Sequence, residues 1–449
     1  MNDPADLPPL GPVRPVPSPF VSIATLPNGL TVQVAPREGV PVVTIRLVTR
    51  GGMSDDPASS PGLARLLAQG LREGTRTRTG AELADLAQEA GGDLYSGAGP
   101  DSLTIAASGL ATRFELLLDL VADLAKSPAF PGDGVARVKH LAHEDLETSE
   151  SEAFFLAARA FARSLYGDHP YGTISPTAAS IDAVTPAILA AEAARRLRPE
   201  RALLVVAGDV DPAAVHAGAE RLFGDWSGRG DAPPPVPAPV VSAGSRRIEV
   251  LDRPGSVQTN LLVGNLGFPR TDPDAHPLEL AMTIYGGSFT SRLVQNLREE
   301  KGYTYSPGAG ASWLAGCGTV RSFAAVRNEV TGAALNEILY EMERMATTEP
   351  TDEEMERAFR RDAGSLAISL QTSGGVADEL SRLWVLGLPP DEIGREVDEL
   401  GKVSKAGVRR ASRRVFGTGA ARIVAAGDAA AIREELATFG EIVEIASGA

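Results

Sequence analysis

The sequence has little cysteine, little positive charge and no long apolar run. Its 449 residues include one cysteine, Cys317, which excludes an intrachain disulfide and a zinc site built from cysteines. Lysine and arginine number 43 against 58 aspartate and glutamate residues, a formal net charge of -15. Because phosphate backbones are bound by basic surfaces, this charge argues against a nucleic-acid partner and favours a cationic peptide.

The N-terminal residues match neither a secretory signal nor a membrane anchor. The first twenty residues contain seven prolines and no apolar run, whereas a signal-peptide core or a transmembrane helix is continuously apolar. We therefore expect a cytoplasmic protein without a membrane partner. If a signal had been removed before the first residue, the protein would be periplasmic and this stretch an exported, proline-rich tether.

Length and composition indicate a globular protein with more than one domain. The chain is 43% hydrophobic and 22% charged, with a mean hydropathy near zero, which excludes disordered and fibrous classes. A chain of this length exceeds what one hydrophobic core usually organises, so two domains of roughly 200 residues are expected.

A proline-rich stretch near the midpoint divides the sequence. Residues 228–245, GRGDAPPPVPAPVVSAGS, can form neither a helix interior nor a central strand. We therefore predict four parts. They are a proline-rich extension over 1–19, an N-terminal domain over 20–227, this linker, and a C-terminal domain over 246–449.

The two halves resemble each other at two places. LLVVAGD at 203–209 parallels RIVAAGD at 422–428, with an offset of 219 residues (427 − 208). DPASSPGLARLLAQGL at 56–71 parallels DPDAHPLELAMTIYGG at 272–287, with an offset of 216 residues (273 − 57). Two similar offsets at opposite ends of a half indicate one duplicated fold with a few inserted residues.

Strand and helix patterns alternate within the first half. The segments 31–37, 42–52 and 102–109 alternate or run apolar over strand lengths, and helical patterns follow them. Ser60 and Pro61 have the chemistry of a helix start, after which leucines recur at helical spacing. We therefore predict an α+β fold of two homologous domains, each with an antiparallel-rich sheet packed with helices.

The helix after this Ser-Pro start contains positions of functional interest. Its four leucines would occupy one face, which places Ala64, Arg65, Ala68, Gln69 and Arg72 on the other. Coming after a strand, a Gly-Gly turn and a proline, it resembles the motif helix of the pitrilysin-type zinc peptidases, family M16. That family's helix carries H-x-x-E-H, whose histidines bind zinc and whose glutamate activates a water. The residues at those places here are Arg65, Ala68 and Gln69.

None of these three residues can replace its counterpart in the motif. Arg65 is permanently cationic and repels a metal ion, Ala68 has no proton acceptor, and the amide of Gln69 is too weakly basic to deprotonate water. The resemblance therefore implies a chain that binds no zinc of its own and is inactive alone. An ordinary amphipathic surface helix is the simpler alternative.

The family's third zinc ligand is a glutamate on a later helix. The segment 135–153 fills that place, with Glu144 or Glu147 as a possible remnant of the ligand. The same segment holds His140 and His143, which with Glu144 form an H-x-x-H-E group whose spacing could clasp a metal. A polar helix face in an acidic stretch is the alternative interpretation. The remaining histidines are predicted to be structural: His169, His216 and His276.

The segment 286–310, GGSFTSRLVQNLREEKGYTYSPGAG, resembles the C-terminal-domain motif of the family, and its Arg298 and Tyr305 match that motif's arginine and tyrosine. Gly302 is predicted to follow the helix end, with Tyr303 and Tyr305 on one face of a strand that begins there. The resemblance implies that the arginine holds a substrate carbonyl and the tyrosine hydroxyl stabilises the charged oxygen of the tetrahedral intermediate. Alternatively, both residues are ordinary for a last helical turn and a strand.

Family members of about this length often act in pairs, with H-x-x-E-H on one chain and the arginine and tyrosine on the other. This sequence has only the second set. The resemblance therefore implies a non-catalytic, substrate-binding subunit of a heterodimeric zinc peptidase, which binds a peptide while its partner binds the zinc. The alternative is a structural or peptide-binding protein, either alone or as a homodimer, similar to the respiratory-complex core subunits that descend from this family.

Overall fold

The computed structural model describes residues 11–14, 16–228, 236–240 and 246–445. These residues form two six-stranded mixed sheets, each packed with helices, which confirms the predicted α+β class. Parts of the predicted N-terminal extension and linker lie outside the described residues, so the four domain boundaries stay predictions.

The first sheet takes its strands from the first half of the chain. They are β1 (Ser22–Thr25), β2 (Thr31–Pro36), β3 (Val42–Arg50), β4 (Asp93–Ala98), β5 (Ser102–Leu110) and β6 (Ala202–Gly208). Their spatial order is β1-β2-β6-β3-β5-β4. The β2–β6 pair is parallel and the other pairs are antiparallel. The three predicted strand segments are confirmed as β2, β3 and β5.

The second sheet repeats this topology. Its strands are β7 (Arg247–Asp252), β8 (Gln258–Gly267), β9 (Gly308–Trp313), β10 (Gly318–Arg327), β11 (Arg422–Gly427) and β12 (Ile442–Ile445). The order is β12-β7-β11-β8-β10-β9, with β11 parallel to β7 and antiparallel to β8. Five strands therefore follow the same path in both sheets, as a duplicated fold predicts. The edges differ, because β1 is antiparallel to its neighbour and β12 is parallel.

The α-helices within the described residues cover the sheets. They are α1 (Leu63–Leu71), α2 (Gly80–Glu89), α3 (Phe114–Lys126), α4 (Gly132–Ser151), α5 (Ala153–Tyr166), α6 (Ala178–Asp182), α7 (Pro186–Arg196), α8 (Pro212–Phe223), α9 (Ala275–Met282), α10 (Thr331–Thr347), α11 (Asp352–Ser369), α12 (Ser373–Val385), α13 (Glu392–Gly401), α14 (Lys405–Val415) and α15 (Ala429–Ala437). Two further segments, Thr283–Gly287 and Val294–Glu300, are π-helical. In this described part of the chain, none of the helices combines the length and the apolar character that crossing a bilayer requires.

Each sheet is covered on one face by a helix from the other half. Helix α5 packs on β8 and β11, in an apolar cluster that includes Phe161 and Leu262. Helix α12 packs on β3 and β6, in a cluster that includes Val205 and Leu380. Because each half buries apolar surface of the other's sheet, the hydrophobic effect holds the two halves together.

The start of α1 differs from the predicted Ser-Pro start. The helix begins at Leu63, three residues after Ser60, and Gly62 precedes it with a φ of 80°. Glycine adopts this left-handed conformation without strain. The capping oxygen comes from Asp56, whose Oδ1 accepts the N–H of Ala64 at 3.0 Å. The carboxylate of Asp56, eight residues upstream of Ala64, therefore caps the helix in place of the predicted hydroxyl of Ser60.

Candidate functional site

The three positions that replace the family's zinc motif lie on α1. Arg65 is exposed, Gln69 is partly buried, and Ala68 is buried in the core of the first half. Ala64, which the leucine spacing places on the same side of the helix, is buried as well. Helices α4 and α7 and strand β4 all pack against α1.

The predicted remnants of the third ligand lie on α4. Glu144 and Glu147 are both exposed, and Nε2 of His140 lies 3.3 Å from Oε1 of Glu144. The side of α4 that enters the core is apolar and carries Val138, Ala142 and Leu146. The structure therefore turns both glutamates away from the core that α1 and α4 share.

The donors at this place do not fit a zinc ion. Protein zinc sites use several nitrogen, sulfur or carboxylate oxygen ligands. Helix α1 offers one neutral amide oxygen, Oε1 of Gln69, which is buried and accepts no hydrogen bond from the described residues. The permanently charged Arg65 lies one turn away on the same helix, and the core side of α4 adds only apolar groups. A single amide oxygen cannot hold the metal.

The two histidines of the alternative metal group on α4 contact different carboxylates. His140 faces Glu144, whereas Nε2 of His143 lies 2.9 Å from Oδ1 of Asp182. The side chains of His140, His143 and Glu144 are 72%, 38% and 59% exposed. Within the ranges that the structure describes, they do not form a group whose ligand atoms converge on one ion.

His169 and His216, which were predicted to be structural, contact distant parts of the chain. Nδ1 of His169 accepts the N–H of Tyr171 at 3.2 Å, and its Nε2 lies 2.7 Å from the carbonyl oxygen of Pro237. Nε2 of His216 lies 2.9 Å from Oγ of Ser22. The contact of His216 joins α8 to β1, and that of His169 joins the segment after α5 to Pro237.

In the described part of the chain, one group of metal-ligand side chains does converge. His276, Glu392 and Glu396 bring ligand atoms within 4.8 Å of one another. Arg270 already lies among them, and its Nη2 donates to both oxygens of Glu396, at 2.9 and 2.8 Å, and to Nε2 of His276 at 3.0 Å. Burial and then the charge of Arg270 lower the pKa of His276. The arginine is the cation of this group, which is an internal ion-pair cluster.

Glu279 adds a buried carboxyl to this ion-pair cluster. Its Oε2 is buried and has no hydrogen-bond partner among the described residues. Burial and then the neighbouring charge of Glu396 raise the pKa of Glu279 to about 8. At neutral pH the side chain is therefore largely an uncharged acid.

We expect Glu279→Gln to stabilise the protein at about pH 9 and to change little near pH 5. As pH rises, the unfolded chain releases this proton near 4.5 and the folded chain near 8, so the wild type loses stability across that window. The variant should gain on the order of 2–4 kcal/mol at the alkaline end. Chemical denaturation at several pH values measures the difference.

The exposed Glu434 on α15 provides the matched control for this experiment. Glu434→Gln should show the same stability difference from wild type at every pH. If the gain of Glu279→Gln were equally independent of pH, the assignment of a raised pKa to Glu279 would be wrong.

Arg298 and Tyr305, the residues matched to the C-terminal motif, are in contact. Cζ of Arg298 lies 4.5 Å from the ring centroid of Tyr305 and 4.7 Å from that of Phe289. The guanidinium therefore contacts two aromatic rings, a favourable cation–π geometry. Tyr305 is 78% exposed and Phe289 is 62% exposed. We call these three residues the arginine–aromatic cluster. Sequence reasoning did not identify Phe289, which is a single aromatic among small residues.

The backbone around Arg298 explains how this cluster forms. Arg298 lies in the π-helical segment Val294–Glu300, and such wide turns are frequent at functional sites. Gly302 follows with a φ of 63°, and the N–H of Tyr303 donates to the carbonyl of Leu297 at 2.8 Å. The helix therefore ends before Gly302, which follows it as predicted, with the backbone geometry that a left-handed residue allows.

The prediction that a strand begins at Tyr303 is wrong. Strand β9 begins at Gly308, and residues 303–307 are irregular. Pro307 has no N–H to contribute to a strand ladder, which is a reason for the later start. The irregular stretch leaves Tyr305 free to lie over Arg298, whereas Tyr303 is partly buried against the second core.

The two sets of predicted site residues lie in different halves of the chain. Among the described residues, no hydrogen bond or ion pair joins Arg298 or Tyr305 to the motif positions of α1. The nearest charged neighbour of Arg298 is Glu299, with Nε and Oε1 3.3 Å apart. The hydroxyl of Tyr305 forms no hydrogen bond within the described ranges. Both donors are available to a molecule outside this chain.

Two protein-family profiles match the sequence. Residues 32–173 match the profile described as Insulinase (Peptidase family M16). Residues 183–361 match the profile described as Peptidase M16 inactive domain. The first span includes α1 and α4, and the second includes the arginine–aromatic cluster.

Sequence relatives and solved structures agree with these matches. A Rickettsia felis protein described as an uncharacterized zinc protease is 25% identical over 377 residues, 83% of this chain and 90% of the relative. A Mycobacterium leprae protein described in the same way is 29% identical over 304 residues, 67% of this chain and 68% of the relative. The crystal structure of a peptidase M16 inactive domain from Pseudomonas fluorescens has a TM-score of 0.85 at 26% identity, and the match covers 91% of this chain and 98% of that one. A Helicobacter pylori protease has the same fold, with a TM-score of 0.85 at 17% identity over 91% of this chain and 99% of that one.

Proposed function

Because this chain belongs to the M16 family of peptidases, we propose that it is the non-catalytic, substrate-binding subunit of a two-subunit zinc peptidase. In this proposal a partner chain carries H-x-x-E-H and the zinc. This chain contributes Arg298 and Tyr305 to the partner's active site, and half of the surface that holds the peptide.

The exposed arginine–aromatic cluster is the observation that supports this proposal most directly. Its guanidinium is held against two rings, with the side chain of Arg298 only 27% exposed, so its position is largely fixed before any ligand binds. Large exposed aromatic side chains around an arginine are typical of contact surfaces between molecules. In a chain whose own α1 offers no metal ligands, such donors would act on a substrate held elsewhere.

The chemistry of the two side chains suits a peptide carbonyl. The guanidinium of Arg298 can donate to the carbonyl oxygen of a bound peptide and orient it. The hydroxyl of Tyr305 can donate to the oxygen that becomes negative when the carbonyl carbon is attacked. Because Tyr305 is open to water in the isolated chain, docking of a partner would be needed to exclude water and strengthen both interactions.

A reconstitution assay tests the proposal. The purified chain with added zinc should not cleave peptides, and the H-x-x-E-H protein from the same source should be weakly active alone. Mixing the two should raise turnover well above their sum, with saturation at a one-to-one ratio. Full activity of this chain alone would contradict the proposal. So would a partner whose turnover does not change when this chain is added.

Phe289 favours a second candidate, a peptide-binding or structural protein without any catalytic role. An exposed phenylalanine supplies contact area and no chemistry, so the same cluster suits simple docking. This candidate predicts a homodimer or a stable complex whose peptide affinity is measurable and whose peptide turnover is zero with every partner. Sedimentation of the purified chain and co-purification from the native source distinguish it from the two-subunit peptidase.

A further inference from the structure

A cavity of about 320 Å³ lies where the two halves of the chain meet. One wall comes from α5 and the segment that follows it, and the other from β9 and β10. Its volume is that of a small-molecule site. Most of the larger side chains in its walls are aromatic or aliphatic: Phe161, Leu165, Tyr166, Tyr171, Leu314 and Phe323.

One cationic side chain, Arg321, lines this apolar cavity. Arg321 lies in β10 and is partly buried. Within the part of the chain that the structure describes, it donates no hydrogen bond and forms no ion pair, and its Cζ lies 5.9 Å from the ring of Phe154. Burial lowers the pKa of Arg321, yet arginine stays charged in proteins. Partial burial without an anionic partner costs a cation free energy, and an anionic ligand would offset part of that cost.

A glycine of the neighbouring strand β9 leaves space beside Arg321. In the sheet Arg321 is opposite Gly310 of β9 and Gly264 of β8. A Cβ built on Gly310 would meet no atom within 4 Å, so this position opens into free space. The duplicated fold does not require an arginine here, because Thr104, opposite Val48, occupies the corresponding place in the first sheet (264 − 48 = 216).

The two tyrosine hydroxyls at the cavity already have partners. The hydroxyl of Tyr171 donates to Oδ1 of Asp101 at 2.5 Å, and Oδ2 of the same carboxylate accepts the N–H of Ala315 at 2.8 Å. The hydroxyl of Tyr166 is hydrogen-bonded to that of Thr319. Burial raises the pKa of both tyrosines well above the usual range, so both stay neutral. Arg321 is therefore the charged group at this cavity that lacks a partner.

We propose that this cavity binds a small organic monocarboxylate. The carboxylate would pair with Arg321, since the planar guanidinium fork matches two carboxylate oxygens. The apolar body of the ligand would pack against α5 and the aromatic wall. A medium-chain fatty acid and the free C-terminus of a short apolar peptide share this chemistry. The proposal does not depend on the peptidase role, because it involves neither the motif positions of α1 nor the arginine–aromatic cluster.

Calorimetric titration of the full chain tests the proposal, with octanoate for the fatty acid and N-acetylphenylalanine for the peptide end. At least one of the two carboxylates should bind saturably at one site. The one that binds more tightly shows whether the cavity prefers a fatty acid or a peptide C-terminus. The neutral analogues, octanol and N-acetylphenylalanine amide, should bind at least about tenfold more weakly. Arg321→Met should lose at least about tenfold in carboxylate affinity, because the charge-assisted pair is lost. Equal carboxylate affinity in wild type and Arg321→Met, or no saturable binding of either carboxylate, would overturn the proposal.

Two further variants keep the test decisive. Arg327→Met removes a 66% exposed arginine from the end of the same strand and should leave carboxylate binding unchanged. Gly310→Val should fill the open space beside Arg321 and abolish binding while the thermal unfolding midpoint stays close to that of wild type. If Arg321→Met did not fold, Gly310→Val would decide alone, and retained binding in that variant would reject this cavity as the site.

Discussion

Replacing Tyr305 by Phe is expected to lower the turnover number of the proposed two-subunit peptidase by about 10²- to 10³-fold, the usual effect of losing one oxyanion donor. KM should change little, because the hydroxyl interacts with charge that develops only in the transition state. Phenylalanine keeps the ring that lies 4.5 Å from Cζ of Arg298. The substitution therefore removes the donor while preserving the arrangement of the arginine–aromatic cluster.

A second tyrosine of the chain provides the matched control. Tyr340 is 53% exposed, and Cζ of Arg344 lies 5.6 Å from its ring, so it is another exposed tyrosine stacked by an arginine. Tyr340→Phe should leave kcat and KM unchanged. Both variants are measured with the same partner. The quantities compared are kcat, KM and the affinity between the subunits. A Tyr305→Phe complex that loses subunit affinity and turnover equally, or loses neither, would contradict the assigned role.

Replacing Arg196 by Met is expected to destabilise the first half by about 3–5 kcal/mol, as removing one partner of a buried ion pair generally does. Arg196 is fully buried and forms ion pairs with Asp56 at 2.7 Å and Glu192 at 2.9 Å. It also donates to the carbonyl oxygens of Gly51 at 3.0 Å and Gly52 at 2.6 Å. The variant would leave the carboxylate of Asp56 buried without its counter-charge, and two carbonyls without a donor.

The loss should extend to α1, because Asp56 also accepts the N–H of Ala64 at the start of that helix. Hydrogen exchange of the α1 amides should accelerate in Arg196→Met, and chemical denaturation gives the change in the free energy of unfolding. The neighbouring Arg195 is the control, since it pairs with the same Glu192 at 2.7 Å but is partly exposed. Arg195→Met should cost only about 1 kcal/mol. Equal destabilisation by the two variants would show that burial of Arg196 does not set its contribution.

Local sequence patterns predicted three strands of the first sheet, and they predicted element ends less well. Segments that run or alternate apolar became β2, β3 and β5, because a half-buried strand imposes a period of two on its side chains. The end of the helix at Gly302 was also predicted, since it needs a residue that tolerates a φ of 63°. The start of α1 was not, because its cap comes from Asp56 and not from the adjacent Ser60.

Long-range packing decides what the helical patterns leave open. Ala64 and Ala68 lie on the face opposite the leucines, yet both are buried, and three neighbouring elements pack against α1. Glu144 and Glu147 have the spacing of a ligand, yet α4 turns its apolar face towards α1. A helical period tells which residues share a face, but it does not tell how many faces the tertiary structure will cover.

By itself, the sequence determined the chemistry that this chain can and cannot perform at the family's motif positions. Arginine, alanine and glutamine cannot act as zinc ligands and base in any fold, so residue type was enough. Only the tertiary structure decided which side chains meet: Phe289 with Arg298, Arg196 with the turn before α1, and Arg321 with a cavity between the halves. The contacts of Arg196 and Arg321 join elements distant in the chain, and Phe289 meets Arg298 from a position outside the helix that carries the arginine. Packing in three dimensions sets these contacts, which no local pattern encodes.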